Sequence, residues 1–226
     1  MYKYLLFDAD NTLLDFNASE RNALQRTMLD CNITFSNDIY LKYHSVNDKL
    51  WKQVEKGLIT RKEVKLERFK QLFEYLGIFD ADVEKISATF MEHICDEGIA
   101  LNGAIKTLNA LKDKYSINIV TNGTAKVQLK RLTKSGIIRY IDKLYMSELI
   151  GYEKPRIEFF NAVLADIGDF DVKKYLVIGD SLTADIAGAE RIGIDACYLS
   201  PESNDTGDHR PKYIIKRIEE LICLLQ

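Results

Sequence analysis

The sequence has little of the chemistry that holds soft metals. Its four cysteines, Cys31, Cys95, Cys197 and Cys223, are scattered and form no C-x-x-C pair. That spacing leads us to expect buried thiols in a reducing compartment. His44, His93 and His209 have no ligand spacing either. A zinc site or a Cys/His nucleophile therefore has no local support, and any metal must be held by carboxylates. The apolar runs are far too short to span a bilayer. The N-terminus enters a strand almost at once, without a charged leader, apolar stretch and cleavage pattern. Neither sign of charge dominates, with 31 basic residues against 34 acidic and a net charge of −3. This leaves no bulk field to hold a nucleic acid polymer or a membrane surface. There is no internal repeat and no low-complexity segment. A cytoplasmic monomer or homodimer acting on a small molecule is the expectation.

What is present is apolar material, 46% of 226 residues, enough to bury one large domain or a core with a smaller one attached. The chain is organised around Tyr4-Leu5-Leu6-Phe7-Asp8-Ala9-Asp10-Asn11-Thr12. Four consecutive apolar residues read as a strand buried on both faces, as in a parallel sheet covered by helices. The run stops on two carboxylates one residue apart. Ligands of open α/β sheets collect just beyond the carboxyl ends of strands, and alternation along an extended backbone points Asp8 and Asp10 the same way. The two like charges repel, so a positive partner is expected. A hard divalent cation, Mg²⁺, suits oxygen ligands and a phosphate. The plainer alternative is that both residues cap a turn.

Residues from about 17 to 95 contain no convincing strand. Ala23, Leu24 and Met28, then Leu41, Val46 and Leu50, then Val64, Leu66, Phe69, Leu72, Phe73 and Leu76 follow helical spacing, and Gly57, Gly77 and Gly98 mark helix ends. The expected organisation is an α/β core over residues 1–14 and 96–226, interrupted by a helical domain over 15–95. Alternation resumes near Gly103. Strands are expected at Ile117–Val120, Leu144–Met146, Tyr175–Ile178 and Ala196–Leu199, with helices between them carrying Ile105 and Leu108, Val127, Leu129 and Leu132, and Phe159 and Phe160. Pro201 to Pro211 reads as a surface loop, and Tyr213-Ile214-Ile215 precedes a short helix to Gln226. This alternation predicts a doubly wound parallel sheet with helices on both faces.

Four strand ends carry polar residues: Asp8 with Asp10, Thr121, Lys154, and Asp180 with Asp185. In a parallel sheet these ends share one edge, so the residues can converge. Their types suit phosphoryl transfer. A carboxylate attacks phosphorus to give an aspartyl phosphate, and fixed donors and a metal stabilise the charge. Thr121 and the N–H groups of Asn122 and Gly123 form an anion site at a helix start. Lys154 supplies a compact positive charge, Asp180 completes a metal shell with Asp185 orienting a metal-bound water, and Asp10 serves as acid and base. Taken singly, Thr121 reads as an ordinary strand-end hydroxyl, Lys154 as a solvated lysine and Asp180 as a helix cap.

Taken together, Asp8-Ala9-Asp10-Asn11-Thr12, Thr121-Asn122-Gly123, Lys154-Pro155 and Gly179-Asp180 through Asp185 resemble the haloacid dehalogenase superfamily of phosphatases, with the motifs in that family's order. The resemblance implies Asp8 as nucleophile, Asp10 as acid/base, and Thr121 and Lys154 on phosphate. It places Mg²⁺, with Mn²⁺ as a substitute, on Asp8, the Asp10 carbonyl and Asp180. It also implies that the helical insert is a four-helix cap closing over the site. Within the superfamily the chain resembles YjjG-type nucleotidases, which act on pyrimidine and noncanonical nucleoside monophosphates. Phe7 to Leu13, Val46-Asn47 with Leu50-Trp51, Gly57 to Thr60, Ile119 to Gly123 and Gly151 to Pro155 carry that similarity. One departure is Asn47-Asp48-Lys49-Leu50, where the group often has a proline before the leucine. Asn47, Trp51 and Tyr43 are the cap residues to watch for substrate contact; a tryptophan at helical spacing also reads as core. Asp10 opposes a dehalogenase. A phosphatase or mutase acting on a sugar phosphate or phosphoglycolate is the alternative. A phospho-aspartate switch is the non-enzyme alternative, opposed by the large insert and by Asp10.

Overall fold

The apolar residues that open the chain form β1, Tyr4–Phe7, buried at every position. The computed structural model describes residues 1–200 and 204–225. The first three residues of the expected Pro201 loop and the helix end at Gln226 lie outside the described residues. After β1 come α1 (Phe16–Asp30), α2 (Asn37–Glu55), α3 (Arg61–Tyr75) and α4 (Val83–Cys95). The alternating part follows with α5 (Ala104–Leu111), β2 (Ser116–Thr121), α6 (Ala125–Lys134), β3 (Lys143–Met146), α7 (Ser147–Ile150) and α8 (Ile157–Ile167). It ends with β4 (Tyr175–Gly179), α9 (Ala187–Ile192), β5 (Asp195–Leu199), β6 (Tyr213–Ile215) and α10 (Glu220–Leu224).

Among the described residues the six strands form one parallel sheet in the order β3-β2-β1-β4-β5-β6. β1 lies in its middle, pairing Tyr4–Phe7 with Ser116–Ile119 on one side and with Tyr175–Ile178 on the other. Side-chain alternation divides the continuous apolar runs between two cores. Leu5, Phe7, Ile117, Ile119, Leu176 and Ile178 face Leu108, Leu132 and Leu221. Tyr4, Leu6, Val120, Tyr175 and Val177 face Phe159, Phe160, Val163 and Ala189. Each fully buried Leu, Ile or Val side chain is worth about 1.5–3 kcal/mol. Sheet and helices together make the expected doubly wound α/β architecture.

The chain divides into two units, Met1–Phe16 with Gly98–Gln226, and Asn17–Glu97. In the helical unit, Ser36 caps α2 by accepting from the Ile39 N–H, and Thr60 with Glu63 closes a capping box on α3. Val46, Leu50, Val54 and Val64 pack together, with Trp51 partly buried beside them. The rings of Tyr43, Phe69 and Phe90 meet at centroid distances of 5.3–5.5 Å.

Two apolar residues expected on inward helix faces lie outside them. Leu41 on α2 and Leu129 on α6 are exposed. The inward face of α2 carries Ile39, Tyr43, Val46, Asn47, Leu50 and Val54, and that of α6 carries Val127, Gln128, Arg131 and Leu132. In both helices polar side chains take inward positions, which hydrophobic periodicity does not register.

Candidate active site

Asp8 extends β1 by one residue, its N–H donating to the Ile178 carbonyl at 2.8 Å, and its side chain is buried. Lys154 reaches it from the segment after α7. The Lys154 Nζ donates to Asp8 Oδ1 at 2.6 Å, to Asp185 Oδ1 at 2.6 Å and to the Val120 carbonyl at 2.7 Å. An ammonium has three hydrogens, and these contacts match all of them. Asn122, just past β2, fixes the Lys154 backbone. Its Nδ2 donates to the Lys154 carbonyl at 2.9 Å and its Oδ1 accepts from the Lys154 N–H at 2.8 Å.

The end of β4 supplies the other acids. Thr12 Oγ1 donates to Asp180 Oδ1 at 3.3 Å. Ser181 Oγ accepts from the Ala184 N–H at 3.1 Å and starts a π turn over Leu182–Ile186. That turn folds Asp185 back so that its Oδ2 accepts from the Ser181 N–H at 3.1 Å. Glycine is required at position 179, where a Cβ would lie 2.2 Å from Asp185 Oδ2. Among the described residues, Asp8, Asp180 and Asp185 bring carboxylate oxygens within 4.8 Å of one another.

Three carboxylates against one ammonium leave the centre short of positive charge. Burial pushes the Asp8 carboxyl up to about 7, with repulsion from Asp185 and Asp10 adding to the effect and Lys154 opposing it. Burial, then repulsion from Asp8 and Asp185, likewise holds Asp180 well above the usual carboxylate range. Burial disfavours the Lys154 ammonium, yet the charges of Asp185 and Asp8 more than offset it and raise its pKa.

Asp10 stands apart from the trio. Its Oδ1 accepts from Arg131 Nη1 at 2.5 Å and its Oδ2 from Gln128 Nε2 at 2.7 Å. That leaves its main-chain carbonyl as the atom by which it would join a metal. Thr121 Oγ1 accepts from Gln128 Nε2 at 2.9 Å and from the Gly123 N–H at 3.0 Å. The Gly123 N–H, expected to face an anion, is thus turned onto Thr121, and the Asn122 side chain is committed to Lys154. In the helical unit, Asn47 is buried. It donates to Glu20 Oε1 at 2.8 Å and accepts from Arg68 Nη1 at 3.3 Å, contacts that make it part of that unit's interior rather than an exposed ligand. Gln128 and Arg131 had no sequence signal as site residues beyond their i, i+3 spacing beside Val127.

Sheet and acidic centre together give an α/β fold with a candidate active site beyond the strand ends. The chain belongs to the haloacid dehalogenase-like hydrolase family, whose profile matches residues 2–193. It is 33% identical over 226 residues to the pyrimidine 5'-nucleotidase PynA of Streptococcus pneumoniae, covering 99% of this chain and 95% of that protein. With the pyrimidine 5'-nucleotidase YjjG of Escherichia coli it shares 31% identity over 225 residues, 99% of this chain and 98% of the relative. The crystal structure of the HAD-hydrolase YfnB from Bacillus subtilis bound to magnesium superposes with a TM-score of 0.94 at 36% identity, over 100% and 99% of the two chains. Family membership sets aside the phospho-aspartate switch weighed from sequence. Among the described residues no helix is long and apolar enough to cross a membrane.

Proposed function

We propose that the protein is a Mg²⁺-dependent phosphatase that hydrolyses nucleoside 5'-monophosphates, preferring pyrimidine or noncanonical bases, through an aspartyl phosphate on Asp8. The observation that carries the chemistry is the buried Asp8 carboxylate, held on one oxygen by Lys154 within a trio of acids. The nucleotide class draws support from full-length similarity to two nucleotidases.

The donor set fits a hard divalent cation. It offers only oxygen, and the raised Asp8 and Asp180 carboxyls mark a shortage of positive charge that such an ion would correct. Asp8, Asp180, Asp185 and the Asp10 carbonyl would hold it. When bound, it would supply charge neutralisation for phosphate and nucleophile.

With Lys154 on Oδ1, the second Asp8 oxygen attacks phosphorus. An Asp8–phosphorus bond forms as the bond to the ribose oxygen breaks, and Asp10 gives that oxygen its proton. Asp10 then takes a proton from water, whose oxygen bonds phosphorus as the Asp8 oxygen–phosphorus bond breaks, releasing phosphate and the free carboxylate. Thr121, accepting from Gln128 and Gly123, keeps its own hydroxyl hydrogen for a phosphate oxygen. Lys154, with its hydrogens matched, acts on phosphate through its charge and on Asp8 by direct contact. We assign the choice of nucleoside to the helical unit, residues 15–95 in the sequence reading, with Trp51 as its candidate contact.

Phosphate release with Mg²⁺ from dUMP, dTMP, UMP, purine nucleotides, hexose phosphates and phosphoglycolate tests this reading. Preference for the pyrimidine monophosphates is expected. Preference for a sugar phosphate or phosphoglycolate would overturn the substrate class.

A further inference from the structure

Arg131 is among the largest fully buried side chains, 1% exposed, on a helix face that it shares with Val127, Gln128 and Leu132. A buried guanidinium is costly unless paired, and its partner here is the side chain assigned above to proton transfer. Gln128, one turn earlier on α6, takes the other Asp10 oxygen. The two donors are themselves joined, Arg131 Nη1 donating to Gln128 Oε1 at 3.2 Å. The Phe16 ring lies 5.2 Å from the Arg131 guanidinium carbon. Glycine at position 123 makes room for this arrangement, since a Cβ there would lie 2.4 Å from Gln128 Nε2. A carboxylate held on each oxygen by a different donor has its plane and direction fixed. Gln128 Nε2 also reaches Thr121 Oγ1, so one amide spaces Asp10 from the candidate phosphate contact.

We propose that Gln128 and Arg131 are positioning residues of the reaction, a clamp on α6 that aims the Asp10 carboxylate at the leaving oxygen and sets its distance from Thr121. The proposal rests on the reading of Asp10 as the proton donor. Neither residue needs to touch substrate. A buried ion pair serving the fold alone would give the same contacts, so the test needs a readout that folding does not move.

Leaving-group dependence provides it. A ribose alkoxide departs only with a proton, whereas p-nitrophenolate departs without one. The kcat/KM of Gln128→Leu and Arg131→Met would be measured on dUMP and on p-nitrophenyl phosphate, alongside Asp10→Asn. The clamp predicts a loss of about 10–100-fold on dUMP and of less than about threefold on p-nitrophenyl phosphate, with Arg131→Lys recovering part of the first loss. Equal losses on both substrates in the clamp variants, while Asp10→Asn still discriminates, would overturn the clamp and leave the reading of Asp10 intact. Equal losses in Asp10→Asn itself would overturn that reading and the clamp with it. Should Arg131→Met fail to fold, the neutral Gln128→Leu decides the question alone.

Discussion

Asn122 holds Lys154 by its backbone in both directions, donating from Nδ2 to the carbonyl at 2.9 Å and accepting at Oδ1 from the N–H at 2.8 Å. The side chain thus acts as a rung between the end of β2 and the segment that carries the lysine. Asn122→Ala removes both bonds at about 0.5–1.5 kcal/mol each, so a loss of about 1–3 kcal/mol in unfolding free energy is expected. Because the Lys154 ammonium then loses its fixed approach to Asp8, kcat should fall more than KM rises. Urea unfolding and steady-state kinetics on one preparation measure both, and unchanged turnover would show that Lys154 is placed without the rung.

Asp8→Asn separates chemistry from architecture. The side chain keeps its shape and its place beside Lys154 but can no longer bond phosphorus, so turnover should fall by about 10³-fold or more. Burial and the neighbouring acids already disfavour charge on Asp8, so the substitution should leave the thermal midpoint in chelator no lower than that of the parent. Appreciable residual phosphate release from a well-folded variant would remove Asp8 as the nucleophile.

Excess negative charge at the trio also predicts a metal effect on stability. An ion that binds the folded chain and not the unfolded one stabilises it by about 2.7 kcal/mol at a hundredfold excess over its dissociation constant. Mg²⁺ should therefore raise the melting temperature of the protein, and Asp180→Asn should blunt that rise. The same increment in both proteins would mean that the trio of Asp8, Asp180 and Asp185 is not where the ion acts.

The strands were legible because Tyr4–Phe7 and Tyr175–Ile178 are apolar at every position, a pattern that burial on both faces demands. Asp8, Thr121 and Asp180 stood out as candidates because strand ends in a parallel sheet share an edge, whatever the helices do; Lys154 lies past α7 and meets Asp8 through its long side chain. The Asp10 clamp was not. Gln128 and Arg131 are polar residues on a helix, and local pattern assigns such residues to solvent; only the depth at which α6 packs makes them interior. Asn47 failed to stand out as interior for the same reason, because its partners Glu20 and Arg68 come from distant positions on other helices. Leu41 and Leu129 show the converse, apolar residues turned outward because Asn47 in one helix, and Gln128 with Arg131 in the other, hold inward places.

The helical unit should contribute a pH dependence of its own through His44. His44 Nδ1 lies 2.6 Å from Glu20 Oε2, and Glu20 is fully buried while His44 is partly exposed. The hydrogen bond to Glu20 raises the His44 pKa; partial burial opposes it, and the charges of Glu20 and Asp48 add to it. A histidine whose pKa is higher folded than unfolded binds its proton more tightly in the folded state. Its contribution to stability is complete below the unfolded value of about 6.5 and is lost as pH rises through the folded value. The parent protein should therefore lose stability relative to His44→Asn as pH is raised from about 5.5 to 8.5, read as the difference between urea midpoints. Taking the difference from the variant cancels whatever the two proteins have in common, including the contacts of His93 with Asp30 and of His209 with Glu190. A difference that stays flat across the range would mean that the imidazole meets Glu20 without changing its affinity for the proton. A difference that grows with pH would reverse the sign and place the stabilising form of His44 as the neutral ring.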